Sequence, residues 1–138
     1  MKSKKRIGFT NGCFDIVHAG HIELLQKAKK NCDYLIVGLN SDSSVRKLKG
    51  NQRPILNLKQ RSKIISSIKY VDQIKVFKES TPLMLIKKIK PDIIFKGSDY
   101  IKKKVVGYDF QTKRKKQVKI IKLLKNISTT KIIRKLSK

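Results

Sequence analysis

Residues 11–21 read Asn-Gly-Cys-Phe-Asp-Ile-Val-His-Ala-Gly-His and lie between an apolar run at 7–10 and an amphipathic one at 22–29. That order demands a strand that hands over to a helix through a glycine-bearing turn. The chain has only two histidines, His18 and His21, and both fall at that junction. A helix N-terminus there presents free N–H groups and a partial positive charge. Imidazoles that donate hydrogen bonds beside it make a place to hold a nucleotide's phosphates. The bland alternative is a turn with two incidental histidines, and their clustering within four residues argues against it.

The alternation continues along the chain. Strands are expected at about 6–10, 34–39, 73–77, 93–96 and 118–123. The first helix spans about 20–30, with Ile22, Leu25 and Ala28 inward. A short one follows at 45–48. Asn57 and Gln60, spaced as in a capping box, open a helix to about 69 that buries Leu58, Ile65 and Ile68. Thr81 as N-cap and Pro82 as first helical residue open another to about 89, and residues 128–130 start the last, to about 136. Residues 100–117 resist such a reading, beyond a turn at Gly107 and an exposed face or loop at 113–116.

Strands alternating with helices imply an α/β fold, a doubly wound parallel five-stranded sheet with right-handed crossovers. Ligands bind such sheets beyond the C-terminal strand ends, where strand order reverses. The ends of the first, fourth and fifth strands carry residues 13–21, Lys96-Gly97-Ser98-Asp99-Tyr100 and Ser128-Thr129-Thr130. All three unusual sequences are therefore expected on one edge.

A length of 138 residues suits one domain with one modest core. The net charge of +26 would attract nucleic acid. Yet the basic residues are 29 Lys and only 6 Arg, spread along the chain beside 19 Ile. Nucleic-acid readers lean on Arg. A solvated lysine face is the reading taken, with no specific nucleic-acid partner, though the field would help collect anionic substrates. Two cysteines make no disulfide framework, and no Cys and His residues have zinc-ligand spacing, so no protein-built metal site is expected. No apolar run approaches the ~18 residues that span a bilayer. No signal-peptide core follows the basic N-terminus, so a cytoplasmic protein without a membrane partner is expected.

The string at 11–21 resembles the HxGH signature of the cytidylyltransferase-like nucleotidyltransferases. The resemblance runs from about residue 7 to 136 and implies a Rossmann-like single domain over residues 1–138. Proteins of this family join a nucleoside triphosphate to a phosphorylated alcohol or sugar and release pyrophosphate. It implies His18 and His21 as catalytic residues, donating to the α- and β-phosphates. Gly12 and Cys13 let backbone come close, and Phe14 walls off the site. Gly20 belongs to the same motif. Asp15 is expected to fix the loop rather than act as a base, since the attacking phosphate oxygen is already ionised. Ser128, Thr129 and Thr130 match the family's Ser-Thr-Thr and would cradle the β- and γ-phosphates; ordinary capping explains only one of three hydroxyls. Lys47, Lys49 and Arg53 resemble a basic flap over triphosphate and acceptor. Arg61 either reaches substrate or pairs with a carboxylate. Asp42 binds acceptor hydroxyls or caps the next helix. Gly97 and Asp99 match the family's Lys-Gly-x-Asp-Tyr. Gly97 would admit the nucleotide's sugar and base, and Asp99 would accept from hydroxyls or support a metal. ATP is the implied substrate, with magnesium as its counter-ion and a homodimer as the implied assembly.

Within the family, Gly-Cys-Phe-Asp resembles the D-glycero-β-D-manno-heptose 1-phosphate adenylyltransferases. The glycerol-3-phosphate cytidylyltransferases open with Gly-Thr-Phe-Asp and carry an Arg before Ile-Ser-Thr-Thr, where this chain has residues 123–126, Leu-Leu-Lys-Asn. Asn126 replaces the heptose branch's usual Gly, and Asn tolerates a left-handed backbone. Many bacteria fuse the heptose enzyme behind a sugar kinase; this chain leaves no room for one and resembles a stand-alone form or a separated half. A basic RNA-binding module is the non-enzymatic alternative, disfavoured by few aromatics and no RNA-binding signature.

Overall fold

The computed structural model describes residues 4–123 and 128–137. Five strands form one sheet: β1 (Ile7–Gly12), β2 (Tyr34–Asn40), β3 (Gln73–Phe77), β4 (Ile93–Gly97) and β5 (Gln117–Ile121). Six helices accompany them: α1 (Ala19–Lys30), α2 (Asp42–Lys49), α3 (Leu58–Ser66), α4 (Leu83–Ile89), α5 (Tyr108–Lys113) and α6 (Thr129–Leu136). The strand order is β3-β2-β1-β4-β5, with every pairing parallel. The order reverses between β1 and β4, which opens a crevice at their C-terminal ends.

A central parallel strand is buried on both faces and so reads as a continuous apolar run. In β2, residues Leu35 to Asn40 are all buried. One face of the sheet packs Leu24, Leu25 and Ala28 of α1 and Ile65 of α3 on Leu35, Val37, Ile93 and Phe95. The other packs Ile86 of α4 on Phe9, Ile36, Ile94 and Val118, with Tyr108 and Phe110 of α5 at its margin. Alternation along each strand thus assigns every side chain to one of two layers.

Several boundaries differ from expectation. β1 runs on to Gly12 because Asn11 and Gly12 pair with Gly38 and Leu39, a tertiary pairing that carries a polar residue into a strand. Leu24 is buried while Ile22 stays partly exposed in the first turn of α1. Pro82 is the N-cap of α4 rather than its first residue, with Thr81 Oγ1 accepting from the Leu83 N–H at 3.4 Å. The unread stretch holds a 3-10 turn (Lys102–Lys104) and α5, with Gly107 left-handed at φ 95° before it. Asn57 caps α3 as expected, accepting from the Gln60 N–H at 3.0 Å. β5 ends at Ile121, and Asn126 lies outside the described residues. Among the described residues, no helix is long and apolar enough to cross a membrane.

At Gly8 the layers close so tightly that a Cβ would stand 2.6 Å from the Phe95 ring and 2.7 Å from Cys32 Sγ. Overpacking of this kind costs about 1–3 kcal/mol. Gly8→Ala is expected to lower urea-denaturation stability by that amount with the m-value unchanged.

Candidate active site

The site begins with the cap of α1. His18 is the N-cap, with extended backbone, and its Nδ1 accepts from the Gly20 N–H at 3.1 Å. His21 Nδ1 accepts in turn from the His18 N–H at 3.2 Å. Two imidazoles thus form a reciprocal capping box. Gly20 has a local reason to be glycine: a Cβ there would meet His18 Cε1 at 3.0 Å. Because each Nδ1 is an acceptor, each neutral ring carries its proton on Nε2. Both Nε2–H groups are left out of the cap. The rings stack with centroids 3.8 Å apart, so two positive charges there would repel. Burial lowers the pKa of His18; burial, with His18 adding to it, pushes His21 down to about 4. Near neutral pH the pair therefore acts as two neutral donors.

The loop from β1 to α1 is held from behind. Phe14 adopts φ 48°, a left-handed backbone that costs a bulky residue roughly 1–2 kcal/mol. Its ring is buried and lies 5.0 Å from that of His21. Asp15 is fully buried; Oδ1 accepts from the Leu56 N–H at 2.8 Å, and Oδ2 from Ile55 N–H and Arg53 Nε, each at 2.8 Å. Burial alone would raise its carboxyl, yet the Leu56 and Ile55 amides and Arg53 hold it below the ordinary aspartate value. Asp15 is a brace for the loop, as its place in the motif implied. Burial outweighs the nearby cations at Cys13 and raises its thiol, so it stays protonated.

Arg61 does not reach into the cleft. It is 0% exposed, donating to the carbonyls of Leu56 (3.0 Å), Cys13 (2.8 Å) and Asn40 (2.8 Å) and to Asp42 Oδ1 (2.6 Å). This corrects the expectation of substrate contact for Arg61 and bears out its other reading, a pairing with a carboxylate; Asp42, that carboxylate, keeps 34% of its side chain exposed and does not line the cleft. Ser41, not Asp42, caps α2. Lys47 lies on the exposed side of α2 outside the cleft wall.

The other expected residues surround one cleft of about 580 Å³ at the β1–β4 crevice. Its walls include Gly12, Cys13, Phe14, His18, Gly20 and His21 from the first motif, and Lys49 and Arg53 from the flap. Gly97 and Asp99 follow β4, and Ser128, Thr129 and Thr130 open α6. At Gly97 the close approach is to Leu123, whose Cδ1 would lie 2.6 Å from a Cβ. Ser128 Oγ caps α6, accepting from the Lys131 N–H at 3.1 Å. Thr129 Oγ1 donates to the Ile16 carbonyl at 3.0 Å, which sets the start of α6 beside the β1–α1 loop. Thr130 is exposed to the cleft. Sequence reasoning singled out no role for Lys96, which also lines the cleft and is only 8% exposed. Its signals were its place directly after Ile93-Ile94-Phe95 and at the head of the Lys-Gly-x-Asp-Tyr match, where only Gly97 and Asp99 were given roles.

Two outcomes follow from this geometry. Lysine cannot span four acceptors as a guanidinium does, so Arg61→Lys is expected to cost about 3 kcal/mol in denaturant unfolding. Ring signals followed by NMR should titrate below 6.5 for His18 and near 4 for His21. The unfolded chain takes up these protons near 6.5, so this stabilisation is complete above that pH and is lost as pH falls toward 4. A His21 midpoint at 6.5 would mean that its ring is not buried beside His18.

The cytidylyltransferase-like family model matches residues 9–135. The bifunctional protein HldE of Wolinella succinogenes is 51% identical over 132 residues, 96% of this chain and 27% of that protein. HldE of Campylobacter fetus is 50% identical over 135 residues, 98% of this chain and 29% of that protein. The chain thus spans little more than a quarter of the length of these relatives. A solved lipopolysaccharide core biosynthesis protein from Thermoplasma volcanium superposes with a TM-score of 0.71 at 32% identity, covering 90% of this chain and 100% of that one. Pantoate-beta-alanine ligase from Francisella tularensis, at TM-score 0.61 and 18% identity over 96% of this chain and 69% of its own, shares the fold. With the family model covering the chain almost end to end, and the two-histidine motif standing at the crevice of a parallel sheet, the chain belongs to the cytidylyltransferase-like family.

Proposed function

We propose that this chain transfers AMP from ATP to a sugar 1-phosphate, D-glycero-β-D-manno-heptose 1-phosphate, giving ADP-heptose and pyrophosphate. The observation that carries the reading is the capping box of His18 and His21. It leaves two neutral Nε2–H donors at a helix N-terminus, beside the start of α6. An oxygen of the acceptor phosphate attacks the α-phosphorus, and the bond to the pyrophosphate oxygen breaks in line. That oxygen is already ionised, so no general base is needed, and neither Cys13 nor Asp15 is free to be one. The protein's work is to position the groups and to stabilise shifting charge. His18 and His21 donate to the α- and β-phosphate oxygens, and the first turn of α6 with Thr130 takes the rest of the triphosphate. Lys49 and Arg53 close over it from the flap.

Among the described residues no group of three or more His, Cys, Asp or Glu side chains is placed to hold a metal ion. A magnesium ion accompanying ATP would rest mainly on phosphate oxygens and water, with Asp99 as the carboxylate in reach. The ion would neutralise charge on the triphosphate. The identity with HldE proteins over nearly the whole chain supports the heptose substrate, and the reading includes a cytoplasmic homodimer.

Pyrophosphate release, with ATP and CTP crossed against heptose 1-phosphate and glycerol 3-phosphate, tests this. Turnover is expected only with ATP and heptose 1-phosphate. His18→Ala should lower kcat/KM by about 10²–10³-fold, the usual loss of a transition-state donor. Turnover with CTP and glycerol 3-phosphate would overturn the assignment.

A further inference from the structure

Lys96 is a buried cation with few partners in the fold. Its Nζ donates to the Asn11 carbonyl at a long 3.3 Å and stands 5.1 Å from the centre of the Tyr100 ring. Among the described residues it has no ion pair within 4 Å and no other hydrogen-bond acceptor, though an ammonium has three N–H groups to place. Burial pushes its pKa down to about 8, with Asp99 acting in the opposite sense. A desolvated charge with unmet donors, lining a cleft, is built for an anion that arrives from solution.

Its side of the sheet is informative. Phe9 and Ile94 belong to the layer packed against α4 and α5. Two residues further along each strand, Asn11 and Lys96 fall on that same face. Asn11 Oδ1 is likewise buried without a hydrogen-bond partner. The histidines and α1 lie on the opposite face, and the Thr129 bond to Ile16 brings the start of α6 to that side too. The cleft therefore straddles the crest of the sheet, with one set of phosphate donors on each side.

In-line displacement puts the entering and leaving oxygens on opposite sides of the α-phosphorus. Pyrophosphate leaves toward α1 and α6, so the attacking phosphate enters over the ends of β1 and β4. Building on the transferase reading above, we propose that Lys96 holds the phosphate of the acceptor substrate, across the crest from the histidines. Low local dielectric gives this one ammonium more weight than the exposed Lys47 and Lys49, whose charges water screens.

The test is calorimetry on wild type, Lys96→Met and Lys96→Gln, with α,β-methylene-ATP as the nucleotide probe and inorganic phosphate added to the nucleotide-loaded protein. The expected result is a phosphate Kd weakened about tenfold or more, as for a lost charge-assisted bond. The nucleotide Kd should stay within about twofold by the same argument, since Lys96 lies outside the nucleotide's donors. In turnover, KM for the sugar phosphate rises while KM for ATP holds. Thermal melting should show neither variant less stable than wild type, because each removes a buried charge. Weakened nucleotide binding with phosphate binding intact would overturn the proposal, as would equal effects on both, or a wild type that binds no phosphate. A wild type that binds phosphate through Lys96 yet turns over no heptose 1-phosphate would sink the substrate assignment and leave this subsite standing.

Discussion

The guanidinium of Arg61 joins the ends of four segments: the β1–α1 loop at Cys13, the end of β2 at Asn40, the start of α2 at Asp42 and the loop before α3 at Leu56. A charge with no exposure must find partners for its donors, and every acceptor it uses loses that partner if it is removed. Asp15 completes the arrangement from the other side by taking the Ile55 and Leu56 amides and Arg53. Between these two ion-centred knots the loop has little freedom. Phe14 keeps its left-handed backbone, and the entry of α1 is aimed at the cleft.

What that rigidity serves is a pair of neutral rings. A histidine free in water divides its time between charged and neutral forms near pH 6.5. Here the capping box occupies both Nδ1 atoms, and stacking with burial disfavours the imidazolium. In the proposed transfer, two fixed donors of this kind need no reorganisation as charge moves onto phosphate oxygens, which is where electrostatic catalysis gains most. The positive charge comes from elsewhere: the helix termini, the flap and the cleft floor.

The fold alone carries little of this meaning. A ligase at 18% identity shares the sheet and its crevice, and sheets of this kind host many chemistries. The specific content sits in residues that the topology brings together from distant parts of the chain, such as Thr129 and Ile16, 113 positions apart.

Much of that topology was legible beforehand. Apolar runs broken by amphipathic ones specify strand and helix because side-chain period is a local property. For the same reason the cap at Asn57 read correctly from a few neighbouring residues. The clustering of both histidines at one strand–helix junction marked the site without any coordinates. The roles of the arginines were not legible. Arg53 and Arg61 look alike in a polar stretch, yet one lines the cleft and the other is sealed behind it. That difference depends on which carbonyls and carboxylates lie within 3 Å after β2, α2 and α3 have packed. Lys96 is a similar case: the motif match marked its position, but its burial beside Asn11 depends on the packing of β1 with β4. Local pattern set the elements and the motif, and long-range packing decided which charges are buried, because desolvation is a property of the assembled surroundings and not of the residue.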